Sequence, residues 1–229
     1  MVTGRLFDAM RWSACKAKER ERVFWSYEDL GVFFLLMALL TLTLRVLVRF
    51  GLLPQSELLQ PGDSFQLAIV CLLTAGLLAV LKLRHRRPLL RSLGWVLPSR
   101  GQLFLSLLTG LLLAGGVLLY AYGKSQRGSV VPSVKAILTI CLLGPVLEET
   151  LLRGCVLPLI ATAVGYPLAI LATAGLFAVF HGPTDIAHGA FFAICGIGYG
   201  WVRAASGTTT APTLAHAVCN LILLCSMSY

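Results

Sequence analysis

The segment Glu148-Glu149-Thr150-Leu151-Leu152-Arg153 puts three charged side chains into a strongly apolar stretch. From residue 135 onward only six side chains are Asp, Glu, Lys or Arg: Lys135, Glu148, Glu149, Arg153, Asp185 and Arg203. An ionisable residue inside a membrane span costs at least about 2.5–3.5 kcal/mol on insertion scales, so such residues are functional suspects. On a helix Glu149 and Arg153 share one face, with the acid first, and can pair. That pairing offsets the desolvation of both charges. Glu148 is rotated by about 100° from Glu149 and does not face Arg153. A buried carboxylate without a partner is poised to act as a general base or acid. The competing reading is a buried ion cluster that fixes helix packing, for which one Glu per Arg suffices.

Two further clusters carry chemistry. Phe177-Ala-Val-Phe-His181 ends an apolar run, and His216-Ala-Val-Cys-Asn220 puts an imidazole and an amide four residues apart on one helical face. Each alone reads as a helix-end residue or an interhelical hydrogen-bond pair. Together, Glu148, His181, His216 and Asn220 could orient a water for attack and give an amide donor to a developing oxyanion. Glu148, His181 and His216 could equally be zinc ligands, although the paired histidines of an HExxH site are missing. No GxSxG, HExxH or Walker motif points to other chemistry.

The elements that must position these groups are apolar helices. Of 229 residues, 57% are hydrophobic and 13% charged, and the mean hydropathy is +0.83. A soluble core of this size cannot hide that much apolar surface, and disordered chains are poor in apolar residues. The fold class expected is all-α, a polytopic transmembrane bundle of about seven spans. The spans run near 30–48, 65–81, 103–122, 134–152 (or to 160), 166–181, 186–202 and 212–227. Three regions follow: a basic segment 1–29, three N-terminal helices with a basic loop over 30–133, and a core of about four spans over 134–229. Gly182-Pro183 should stop the fifth span. Gly196 and Gly200 have the spacing of a close helix contact, and His188 reads as packing or helix capping.

Fourteen of the 19 Lys and Arg fall in the first 100 residues, chiefly in Arg5–Arg22 and Lys82–Arg100. Both clusters abut apolar runs and read as positive-inside charge, with the N-terminus cytoplasmic, rather than as a nucleic-acid patch. Lys16–Arg22 reads as a solvated or amphipathic lead-in, and residues 1–29 lack the apolar region of a signal peptide. The seven cysteines include no CxxC pair and read as buried free thiols.

Glu148-Glu149-x-x-x-Arg153, Phe177-x-x-x-His181 and His216-x-x-x-Asn220 resemble, in order and spacing, the three motifs of the CAAX protease and bacteriocin-processing (CPBP, or ABI) family of intramembrane endopeptidases. That family includes the type II CAAX prenyl proteases. The resemblance covers about residues 134–226. It implies that Glu148 activates the water, that His181 helps hold it, and that His216 and Asn220 form an oxyanion hole. Glu149 and Arg153 then support the site structurally. It also implies a metal-free, glutamate-dependent mechanism, with zinc the alternative cofactor. The expected activity is hydrolysis of a peptide bond in a membrane-associated protein or peptide. The expected partners are that substrate and the lipid bilayer, with no nucleic acid. The expected location is multi-pass in a membrane, with a prokaryotic inner membrane favoured by short loops. A catalytically silent scaffold or immunity protein of the same fold is the alternative. A transporter fits less well, because no internal repeat is visible.

Overall fold

The computed structural model describes residues 23, 25–54, 63–85, 88–121 and 132–226. Every regular element among them is helical. In chain order these are α1 (Tyr27–Arg49), α2 (Asp63–Arg84), the short α3 (Leu89–Ser92) and α4 (Arg100–Ala121). They continue with α5 (134–164), α6 (Tyr166–Phe180), α7 (Ile186–Ser206) and α8 (Thr210–Ser226). Apart from α3, each helix falls on one of the seven expected spans, and the chain is an all-helical polytopic bundle. The lead-in at Lys16–Arg22 and the loop bearing Lys124 and Arg127 lie outside the described residues.

Three of these helices, α1, α2 and α4, are long and apolar enough to cross a membrane alone. Their surfaces are lipid-facing: Leu35, Leu39, Leu42, Phe104, Leu112 and Leu119 are all exposed. By contrast α6 has 15 residues, which span about 22 Å at 1.5 Å per residue. That is shorter than a hydrocarbon core of about 30 Å.

α5 is one continuous helix with two π-helical stretches, Leu138–Leu143 and Thr150–Val156. The sequence explains them. Pro145 and Pro158 have no N–H to give to the preceding turn, and their rings crowd the carbonyl four residues back. Widening the turn by one residue relieves that crowding and lets the helix run on. Expecting the fourth span to end between residues 152 and 160 is therefore corrected: it ends at Val164. Gly165, with φ +86°, then turns the chain directly into α6.

Two close approaches assemble the core. A Cβ on Gly196 would lie 2.7 Å from the Ala174 Cα, and one on Gly110 would lie 2.6 Å from the Ala215 carbonyl oxygen. These glycines let α7 meet α6 and α4 meet α8, the two most extensive helix contacts. At one end of the bundle, Asp29 is 1% exposed. It accepts from Arg84 and, at 2.8 Å, from the Nε2 of His85. The start of α1 and the end of α2 are thus tied together.

Candidate active site

Glu148 and Glu149 sit in the α-helical turn between the two π stretches of α5. Their surroundings differ completely. Glu149 is fully buried. Its Oε1 accepts from Arg153 Nη1 at 3.1 Å and lies 3.0 Å from His216 Nδ1. Arg153, also fully buried, donates from Nη2 to the Gly196 carbonyl at 2.9 Å. Its guanidinium lies over the rings of Phe177 and Tyr199, at 4.9 and 5.6 Å. The Arg153 carbonyl accepts from Arg203 Nε at 3.0 Å. The group Glu149–Arg153–His216 is therefore a buried charge cluster closed by aromatic faces and backbone carbonyls.

Glu148 turns the other way. It lines a cavity of about 450 Å³ with His181, and its Oε2 has no hydrogen-bond partner among the described residues. His181 Nε2 stands 3.7 Å from that oxygen. The other nitrogen, Nδ1, is 2.8 Å from the Phe177 carbonyl. A carbonyl accepts only, so Nδ1 carries the proton there. In the neutral ring, Nε2 then presents its lone pair toward Glu148. The imidazole is held between Phe177 and Phe192, with ring centroids 4.3 and 4.2 Å away. Its place at the end of α6 follows from Gly182, which takes φ +55° and stops the helix.

His216 and Asn220 line a second cavity of about 390 Å³, and His181 and Phe177 line it too. The two cavities meet at these shared residues. His181 belongs to both cavities, and His216 is anchored on Glu149 rather than facing Glu148. The His216 ring stacks on Tyr199 at 4.6 Å. With Nδ1–H given to Glu149, Nε2 is the nitrogen left for a ligand. The Asn220 amide donates to the Ile140 carbonyl at 2.8 Å, inside the first π stretch, which leaves one of its two N–H bonds uncommitted.

Among the described residues no three His, Cys, Asp or Glu side chains converge to hold a metal ion. Asp185 is the residue that caps α7, its side chain accepting from the His188 backbone N–H, while the His188 ring accepts from the Thr184 N–H and lies against Phe192.

Several residues of the site were not read from the sequence. Tyr199 and Arg203 on α7 enclose the charge cluster. Phe33, Phe34 and Met37 of α1 form a wall of the Glu148 cavity. Arg203 alone left a signal, as one of the few charges in the C-terminal half.

Residues 130–222 match the family model described as type II CAAX prenyl endopeptidase Rce1-like. This agrees with the CPBP motifs, all three of which fall within the matched stretch. No curated protein and no solved structure matches the chain.

Proposed function

We propose that this chain, which carries an Rce1-like domain over residues 130–222, is a glutamate-dependent intramembrane endopeptidase. The observation that carries the reading is the asymmetry of the adjacent glutamates. Glu149 is buried in charge pairs, whereas Glu148 is unpaired in a cavity beside a histidine whose lone pair faces it.

The chemistry follows from those atoms. A water held by the Glu148 carboxylate and His181 Nε2 donates one proton to each, which turns its own lone pairs toward a substrate carbonyl. Glu148 takes the proton as the water attacks, a role worth about 10²–10⁴ in rate. The carbonyl oxygen then becomes an oxyanion. The free Asn220 N–H and, when its ring carries both protons, His216 Nε2–H are the donors for it, and each such donor is worth about 10²–10³. The proton on Glu148 passes to the leaving amine as the C–N bond breaks. Arg153 and Glu149 stay out of the reaction and hold His216 in place.

The substrate is a peptide bond of a membrane-associated protein or peptide, in keeping with a Glu148 cavity that is apolar apart from Glu148 and His181. The clusters Arg5–Arg22 and Lys82–Arg100 support a cytoplasmic N-terminus by the positive-inside rule, and the short loops support a prokaryotic inner membrane. The test is cleavage of membrane-anchored peptides in liposomes by purified protein. Glu148→Ala should insert normally and cleave nothing. Cleavage surviving in that variant would remove the assignment. Biological activity surviving in Glu148→Ala/His216→Ala would favour the silent scaffold instead.

A further inference from the structure

The N-terminal half reaches the motif helix through two indole groups. Trp25, just before α1, donates from Nε1 to the Cys155 carbonyl at 3.1 Å and is 3% exposed. Trp95, just after α3, donates from Nε1 to Thr150 Oγ1, also at 3.1 Å. The Thr150 hydroxyl in turn donates to the Val146 carbonyl at 2.5 Å. The turn 146–150 contains both glutamates.

These contacts fall on the second π stretch, Thr150–Val156, in a telling pattern. Trp95 grips its first residue, Arg203 its middle carbonyl at Arg153, and Trp25 the carbonyl of Cys155 near its end. A π stretch departs from the regular hydrogen-bond ladder and is held where surrounding groups over-determine it. It begins at Thr150, directly after the α-helical turn that carries Glu148 and Glu149, so whatever holds the stretch also holds the end of that turn. Both tryptophans are themselves braced. Ser26 caps α1, and its N–H donates to Asp29 at 2.7 Å, the carboxylate tied to α2. The segment bearing Trp95 is fastened to the start of α8, where Thr209 donates from N to the Gly94 carbonyl at 2.8 Å and Thr210 Oγ1 donates to the Val96 carbonyl at 2.8 Å. Neither tryptophan lies in the matched stretch 130–222.

We propose that Trp25 and Trp95 are positioning residues for Glu148, their indole N–H groups fixing the π stretch that begins at Thr150 and with it the preceding α-helical turn, which aims the Glu148 carboxylate at His181. The inference rests on Glu148 being the base. A packing role needs only the ring area, whereas this role needs the N–H; Trp→Phe removes the N–H and part of the area, so kcat is compared at matched folded fraction, where lost packing alone leaves it unchanged.

The experiment uses the full chain in liposomes with a membrane-anchored fluorogenic peptide. Trp25→Phe and Trp95→Phe should each lower kcat by about 10- to 100-fold, as expected for a misplaced reacting group, with KM and the thermal midpoint nearly unchanged. Combined with Glu148→Asp, each should lower kcat by less than the product of the separate losses. Unchanged kcat in both Phe variants, or losses that multiply independently of Glu148→Asp, would overturn the proposal. If Trp25→Phe lowers the folded yield, Trp95→Phe, at a half-buried position, decides alone. Cleavage that survives Glu148→Gln would instead remove the reading of Glu148 as the base.

Discussion

Neutralising one glutamate should damage folding, and neutralising its neighbour should damage only catalysis. In Glu149→Gln the shape is kept, but the charge that serves both Arg153 and His216 is gone. The amide oxygen, in the place of Oε1, can still accept from both, and the amide N–H₂, in the place of the partnerless Oε2, adds a buried donor with nothing to accept from it. Arg153 is fully buried, so its charge is left without its counter-ion. Removing one partner of a buried pair costs about 3–5 kcal/mol. The faces of Phe177 and Tyr199 and the Gly196 carbonyl keep part of the guanidinium stabilisation, which puts the loss near the lower end, at about 3 kcal/mol. For a chain of this size that corresponds to a fall in thermal midpoint on the order of 10 °C. Glu148 is different: its side chain is 34% exposed, and Oε2 has no hydrogen bond to lose. Glu148→Gln should change stability by no more than about 0.5 kcal/mol, in either direction. The assay is thermal unfolding of the two variants in one detergent, followed by intrinsic tryptophan fluorescence. Equal midpoints, or a larger fall for Glu148→Gln, would refute the division of roles between the two carboxylates.

Other perturbations have equally direct outcomes. Gly196→Ala must push α7 away from the Ala174 backbone, costing about 1–3 kcal/mol as overpacking does; an unchanged thermal midpoint would contradict the close contact. His181→Phe keeps the stack between Phe177 and Phe192 but removes Nε2, so kcat should fall by about 10²–10⁴ with KM little changed, as read from initial cleavage rates. Asp29→Asn removes the buried carboxylate that joins α1 to α2 and should lower stability by about 1–3 kcal/mol, measured by denaturant titration in mixed micelles.

How far the sequence discloses this molecule depends on the range of the interaction. The helices are set by runs of apolar residues, a local property, and the chain shows them to within a few residues. The Glu149–Arg153 pair and the stop at Gly182 are local too, fixed by helical spacing and by one glycine's backbone freedom. The course of α5 past Pro158 is not local: a proline reads as a terminator unless a π stretch absorbs it, and here side chains from three other segments support that stretch. The anchoring of His216 on Glu149 depends on how α8 is rotated against α5, which no periodicity in α8 encodes. Trp25, Trp95 and Tyr199 carry no charge and fit an apolar span, so their polar contacts leave no trace in hydropathy.

The most direct test of the central claim is the single-turnover rate of a membrane-anchored peptide in liposomes, comparing wild type with Glu148→Gln at matched folded fraction. The account predicts normal insertion and peptide binding in the variant, with bond cleavage slowed by at least about 10²-fold. Cleavage by Glu148→Gln at the wild-type rate would contradict it.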